Sequence, residues 1–215
     1  ITAGTGNVTV NDNIGVNGGD VVGGLDITSA GIVRFDTANA TIDIGAQEFK
    51  VGSGSAVTSV EIDASASIAS SITINANEGI TTSADVQASS GTVTLDADVD
   101  ANDNSGTLTI GGQLTNTGRA IVIDANDLAL NANLVGGPLV LTDSDGTGIG
   151  LGATTVTNGL NVSGTEVGRM QLATSAEFVT GGSVTVNGIS DANRENITAA
   201  IIDAVGTVTF ATGAS

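Results

Sequence analysis

One short phrase recurs along this 215-residue chain and restricts the folds that are available to it. The phrase has two hydrophobic residues separated by one other residue, followed by Asp or Asn, Ala and a small polar residue. Its clearest copies, VEIDAS, ITINAN, VTLDAD and IVIDAN, begin at Val60, Ile72, Val93 and Ile121. Looser copies begin at Val8, Leu139, Leu160, Val184 and Val208. Because apolar and polar side chains alternate, each copy predicts a short β-strand with one buried face.

The repetition favours a parallel β-helix, also called a β-solenoid. One coil of such a fold cannot bury its own apolar face, so it needs a similar coil on each side. A recurring phrase would keep the apolar columns of successive coils aligned. The intervals between the clear copies are uneven, and they lengthen along the chain from Val60 to Ile121. We therefore expect one continuous β-solenoid segment over residues 1–215, with coils of unequal length.

A β-sandwich of the bacterial immunoglobulin-like kind is the alternative fold. It would pair similar strands antiparallel, through tight turns such as the Asn-Gly steps at residues 17, 158 and 187. The four Phe, the absence of Trp and Tyr, and the abundance of Val, Ile, Ala and Gly suit flat stacked β layers. Only residues 166–174 and 194–203 are mild helix candidates. The sequence contains no apolar run of the roughly 18 residues that a membrane-spanning helix needs.

The charge of the chain restricts its partners. Twenty-three acidic residues against five basic ones give a net charge of −18. Nucleic acids and anionic membrane surfaces are bound through clustered cations, so we expect neither as a partner. Divalent cations suit a chain of this charge.

Catalysis is not expected. The chain has no His, Cys or Tyr, so the common pairs of nucleophile and base cannot be assembled. Two carboxylates could hydrolyse a glycoside, but no aromatic platform for a sugar lies near the densest acids. We predict a protein that is not an enzyme and has no organic cofactor. A carbohydrate-binding or carbohydrate-processing β-helix stays open as the alternative function.

The densest acidic stretch, DADVDANDNSG, is a candidate calcium site. Carboxylate and amide oxygens are the hard ligands that Ca²⁺ prefers. The stretch matches neither an EF-hand loop nor a nonapeptide calcium roll, and a solvated loop is the alternative. The predicted ligands are Asp96, Asp98, Asp100, Asn102 and Asp103.

A second stretch, DSDGTGIGLG at residues 143–152, predicts a turn first and a weaker cation site second. Its alternating glycines do not match a phosphate-binding fingerprint, because Leu151 stands where the third Gly should be. These glycines predict a crowded corner of a coil instead.

Two longer stretches resemble a known family. They are SGTLTIGGQLTNTGRAIVIDANDLALNANLVGGPLVLTDSDGTGIGLG, from Ser105 to Gly152, and VSGTEVGRMQLATSAEFVTGGSVTVNG, from Val162 to Gly188. Both are similar to the repeat arrays of giant bacterial exoproteins of the filamentous haemagglutinin type, which include two-partner-secretion adhesins. The resemblance spans residues 80–210 or so. It implies a right-handed parallel β-helix, export across a bacterial outer membrane and an interior position in a much longer chain.

These observations lead to one expected function. We expect a non-catalytic structural stalk or spacer of a bacterial adhesin or surface filament, located outside the cell or on its surface. Its expected partners are neighbouring segments of the same long chain or like subunits, together with host or community cell surfaces.

Overall fold

The computed structural model describes residues 1–15, 23–36, 41–101, 105–190 and 197–211. It shows a β-solenoid of about eight turns. Every strand pairing that it describes is parallel. The prediction of a parallel β-helix is therefore confirmed, and the antiparallel β-sandwich does not form.

Most strands stack in three columns, one strand per column in each full coil. The first column contains β1 (Val8–Val10), β3 (Ile32–Phe35), β6 (Ser59–Ile62), β9 (Gly79–Thr82), β12 (Thr107–Ile110) and β15 (Asp127–Leu130). The second contains β4 (Thr41–Ile44), β7 (Ser65–Ile68), β10 (Val86–Ala88), β13 (Leu114–Asn116) and β16 (Leu134–Gly136). The third contains β2 (Leu25–Ile27), β5 (Phe49–Val51), β8 (Ile72–Asn75), β11 (Val93–Asp96), β14 (Ile121–Ala125) and β17 (Leu139–Asp143).

The remaining elements continue this stack. The long strand β20 (Met170–Thr180) pairs with β16 through its first residues and with β17 through its later ones, and β22 (Ile197–Ala204) pairs with β20. A separate four-stranded sheet has the order β19 (Leu160–Val162), β18 (Gly148–Gly152), β21 (Ser183–Asn187), β23 (Val208–Phe210). Its strand β19 contacts β15, so this sheet extends the first column. One short helix, α1 (Gly164–Arg169), precedes β20.

The core is built from inward columns of branched aliphatic side chains. Val93 is the register partner of Ile121, and Leu95 is the register partner of Ile123. All four side chains are no more than 2% exposed. The alternation in the recurring phrase thus correctly indicates which side chains face the core.

The copies of the phrase do not all lie in one column. Those beginning at Ile72, Val93, Ile121 and Leu139 form β8, β11, β14 and β17, so the intervals between these starting positions are true coil lengths. The copy at Val60 forms β6 in the first column. The short interval from Val60 to Ile72 therefore separates two faces of a single coil.

The solenoid is irregular at β18 and β19, which are consecutive along the chain yet lie side by side in one sheet. Residues 153–159 return along β18 to the start of β19. The Asn161 side chain holds this return loop: its Oδ1 accepts from Val156 N at 2.7 Å, and its Nδ2 donates to Gly159 O at 2.7 Å. A Cβ at Gly150 would lie 2.9 Å from Asn161 Oδ1 and 3.0 Å from Thr154 O. The predicted turn forms at residues 144–145, where Gly146 N donates to Asp143 O at 3.1 Å. The later glycines do make room for neighbouring chain, but they lie on strand β18 and not at a corner.

The two helix candidates have different outcomes. Helix α1 forms at Gly164–Arg169, so it matches the first candidate only at residues 166–169, and residues 170–174 of that candidate lie in strand β20. The first turn of the helix is closed by a capping box between Ser163 and Glu166. Glu166 Oε1 also accepts from Leu130 N at 3.0 Å, which ties the helix to the end of β15. The second candidate is wrong where the structure describes it, because Ile197–Ala204 forms β22. Pairing along β20 overrides its helix propensity. Within the described ranges, no helix is both long enough and apolar enough to cross a lipid bilayer.

Because neighbouring coils are in tight contact at one of two adjacent glycines and not at the other, replacing each glycine by Ala should change the melting temperature by different amounts. A Cβ at Gly182 would overlap the carbonyl carbon and oxygen of Thr147 and lie 2.7 Å from Gly148 N. A Cβ at Gly181 would make only ordinary contacts, at 3.5 Å or more. We expect Gly182→Ala to lower the melting temperature by about 5 °C or more, and Gly181→Ala to change it by no more than about 2 °C. Circular dichroism melts measure both, and equal effects would contradict this account of the coil contact.

Candidate functional site

The structure divides the predicted calcium stretch between different environments. Asp96 is half-buried at the end of β11, Asp98 is buried and only 2% exposed, and Asp100 is exposed. Asp98 N donates to Asp96 Oδ1 at 3.3 Å. Asn102 and Asp103 lie outside the described residues. Of the predicted ligands, only Asp96 and Asp98 are thus placed at a common site.

Stacking brings other acidic residues to these two. Asp124, at the same position of the next coil, is the register partner of Asp96. Asp143, one coil further, pairs in register with Ala125 and is 2% exposed, so its carboxylate occupies an inward position. We call this group the acidic corner. It consists of Asp96, Asp98, Asp124, Asn126, Asp143 and Ser144.

Hydrogen bonds connect the acidic corner across coils. Asp98 Oδ2 accepts from Ser144 Oγ at 2.6 Å. Asp143 Oδ2 accepts from Gly148 N at 2.7 Å and from Thr180 Oγ1 at 2.7 Å. One oxygen of each buried carboxylate is therefore well satisfied, and the donors come from later positions in the chain.

Burial disfavours the charged forms of Asp96, Asp98 and Asp124, and nearby negative charge adds to this effect at Asp98 and Asp124. Burial raises the pKa of Asp124 to about 6, with further contributions from the charges of Asp96, Asp98 and Asp143. Burial also raises the pKa of Asp96, although the hydrogen bond from Asp98 N opposes this effect. For Asp98, burial raises the pKa and the hydrogen bond from Ser144 lowers it. The corner thus concentrates negative charge in a partly dehydrated place.

The arrangement offers oxygen acceptors to a positively charged partner. In the described part of the chain, however, no three acidic side chains converge closely enough to form a metal site by themselves. Any cation here would need amide, hydroxyl, backbone or water oxygens in addition to two carboxylates.

Four members of the corner, Asp124, Asn126, Asp143 and Ser144, are absent from the predicted ligands of the first stretch, although Asp143 and Ser144 begin the second predicted stretch at residues 143–152. The signal for them is present in the recurring phrase. Aligning VTLDAD, IVIDAN and LVLTDS places Asp96 beside Asp124, and Asp98 beside Asn126 and Ser144. A search for ligands within a single loop cannot find a group whose members come from successive coils.

A second feature is a shallow polar depression on the outer face of β1 and β3. It is lined by Asn7, Thr9, Asn11, Ile32, Arg34 and Asp36. Asn7 Oδ1 accepts from Ile32 N at 2.9 Å, and Arg34 forms an ion pair with Glu61 on β6. The depression therefore has fixed polar walls and one cation.

No protein family, curated protein or solved structure matches this chain in sequence or structure comparisons. Any function assigned to the chain accordingly depends on its fold, on the acidic corner and on the polar depression.

The raised pKa of Asp124 predicts a pH dependence of stability. Its carboxyl binds a proton more tightly in the folded chain than in the unfolded one, where the pKa is near 3.9. The resulting stabilisation is complete below about pH 4 and is lost as the pH rises through about 6. Because Asp124 is only half-buried and is partly screened by water, we expect the free energy of unfolding to fall by about 1–2 kcal/mol over this pH range.

The variant Asp124→Asn has no carboxyl at this position, so its stability should not fall in this way as the pH rises through about 6. In buffer containing a chelator, we expect it to melt about 2–6 °C above the unmodified chain at pH 7 and to differ little from it at pH 4. Asp26→Asn removes an exposed carboxylate from β2 of the same column and serves as the control. A pH profile of Asp124→Asn that parallels the unmodified chain would contradict the assignment.

Proposed function

We propose that this chain is a non-catalytic structural stalk or spacer of a bacterial adhesin or surface filament, located outside the cell. The main support is the linear construction of the fold. Each interior coil is covered by similar coils on either side, and the inward columns continue from coil to coil. With about eight turns and a rise of roughly 4.8 Å per turn, the stack is roughly 40 Å long. Such a structure sets a distance, and its length depends on the number of coils.

The strands β22 and β23 supply further support. Each has one described pairing, with β20 and β21 respectively, and the other edge has no strand partner among the residues that the structure describes. Val205 is 85% exposed and Phe210 is 71% exposed at this end of the stack. A further coil, from a longer chain or from a like subunit, would pair these edges and cover these side chains. This is the kind of partner that a stalk requires.

The charge of the chain also suits a spacer. A net charge of −18 makes neighbouring rods repel each other, which opposes side-by-side aggregation of their long flat faces. The acidic surface is thus consistent with an exposed, extended particle.

Deleting a whole coil tests the proposal. Removing residues 93–120 would place Ile121 directly after Thr92. In the unmodified chain Val93 pairs in register with Ile72 on one side and with Ile121 on the other, so Ile121 would then pair directly with Ile72. The inward columns would close up with their register intact. We expect this variant to fold and to melt within about 5 °C of the unmodified chain.

Deleting only residues 93–106 provides the matched control. Thr107, which is exposed, would then take the place of buried Val93, and buried Leu108 would take the place of Thr94. A shift of one residue turns every apolar side chain of the strand away from the core, so this variant should unfold or melt far lower. Equal collapse of the two deletions in thermal melts would contradict the modular spacer.

A second candidate function, carbohydrate binding, is favoured by the polar depression on β1 and β3. Its amide, hydroxyl, carboxylate and guanidinium groups can hydrogen-bond to sugar hydroxyls. The lining has no aromatic side chain on which a sugar ring could stack, so a single depression would bind weakly.

A glycan array separates the two candidates. The stalk proposal expects no glycan to bind above background. Carbohydrate binding expects a signal that falls at least about tenfold in Asn11→Ala and Arg34→Ala, because each removes hydrogen bonds from the depression. Thr94→Ala, on the outer face of β11, is a control that should leave any such signal unchanged.

A further inference from the structure

The acidic corner contains buried oxygens that no group in the protein satisfies. Asp98 Oδ1 and Asp143 Oδ1 have no hydrogen-bond partner, although both residues are only 2% exposed. Asn126 Oδ1 also has no partner, and Asn126 is 7% exposed. Native proteins leave few buried polar atoms unsatisfied, because dehydrating such an atom without a partner is costly.

Contacts place the chain segments that carry these three side chains at one corner of consecutive coils. Ser144, the neighbour of Asp143, donates to Asp98 Oδ2 at 2.6 Å. Ser144 N also donates to the backbone oxygen of Ala125, the neighbour of Asn126, at 3.2 Å. Asp98 follows β11, Asn126 follows β14, and Asp143 ends β17, so the three residues belong to three successive turns of the solenoid.

The chemistry of these atoms is uniform, since all three, like the unpartnered Asp124 Oδ1 in the same corner, are oxygen acceptors. The donors that reach the buried carboxylates are Gly148 N, Thr180 Oγ1 and Ser144 Oγ, and each is bonded to an Oδ2 atom. Two carboxylates and an amide oxygen are hard ligands of the kind that Ca²⁺ combines with backbone and water oxygens. Because only two of the three are acidic, the set agrees with the finding that no three acids converge among the described residues.

We propose that Asp98, Asn126 and Asp143 bind one Ca²⁺ ion that joins three consecutive coils. This site differs from the predicted linear loop, because two of its three ligands lie outside residues 96–104. The ion neutralises the charge that stacking concentrates at this corner, and it holds β11, β14 and β17 in register. The proposal does not depend on the stalk function.

Calcium titration of the whole chain tests the site. The chain has no Trp or Tyr, so isothermal titration calorimetry and circular dichroism melts are the suitable measurements. With CaCl₂ at about 1 mM and pH 7.5, we expect one ion per chain. The melting temperature should rise by about 5 °C relative to buffer with chelator.

Three substitutions test this site against the linear loop. Asp143→Asn should abolish both the binding heat and the rise, and in chelator it should melt at or above the unmodified chain because a buried charge is removed. Asp98→Asn should also abolish both signals, but Asp98 belongs to both sites; if Asp143→Asn does not fold, Asp100→Asn and Asn126→Asp carry the distinction. Asp100→Asn, an exposed control two residues from Asp98, should keep both signals.

A gain-of-function variant provides an independent check. Asn126→Asp adds a third carboxylate, so it should bind Ca²⁺ at least about tenfold more tightly and melt lower than the unmodified chain in chelator. Absence of binding by the unmodified chain would overturn the proposal. Loss of binding in Asp100→Asn with retention in Asp143→Asn would also overturn it, in favour of the linear loop. Retention of binding in Asp98→Asn would overturn both sites. Unchanged affinity in Asn126→Asp would remove Asn126 from the ligand set and overturn the site as stated.

Discussion

Parallel backbone pairing between successive coils is the constraint on which the rest of this structure depends. A strand of three to five residues buries little apolar surface alone, and it becomes stable only when equivalent strands lie on each side of it. In register, Val93 lies against Ile121 and Leu95 against Ile123, so the interior is a set of continuous aliphatic columns. The short recurring phrase is sufficient for this purpose, because each coil needs to match only its neighbours.

The same pairing has an electrostatic consequence. Strands in a sheet are about 4.8 Å apart, so a phrase that repeats an acidic residue stacks carboxylate on carboxylate. Asp124 lies in register with Asp96, and its raised pKa, about 6, reflects both burial and the neighbouring charges. An apolar column gains stability from repetition, whereas an acidic column loses it unless a proton or a cation compensates. An ion in the proposed Ca²⁺ site would place a compensating positive charge beside this acidic column.

The irregular region shows how the solenoid accommodates a change in coil length. The chain forms β18, returns through residues 153–159 and forms β19 beside it, before α1 leads into β20. Asn161 fixes the return loop through its side-chain amide, and Glu166 links α1 to Leu130 at the end of β15. The first column gains a strand here, while β20 still pairs with both β16 and β17. The extra strand is therefore inserted within the column, and its side chains Leu160 and Val162 are buried in the core.

The sequence by itself determined the fold class and the inward side chains of the third column, because alternation within a strand and repetition between strands are local properties of the chain. It also indicated Asp96 and Asp98 as members of a candidate site, because these two residues are close in sequence. Only the tertiary structure decided that Asp124, Asn126 and Asp143 join them, that Gly150 lies under a return loop, and that residues 197–204 form a strand. Coil lengths vary along the third column, since the coil from Val93 to Ile121 is longer than the one from Ile121 to Leu139. Which distant residues meet is therefore set by backbone pairing across coils, a property that no short stretch of the sequence contains.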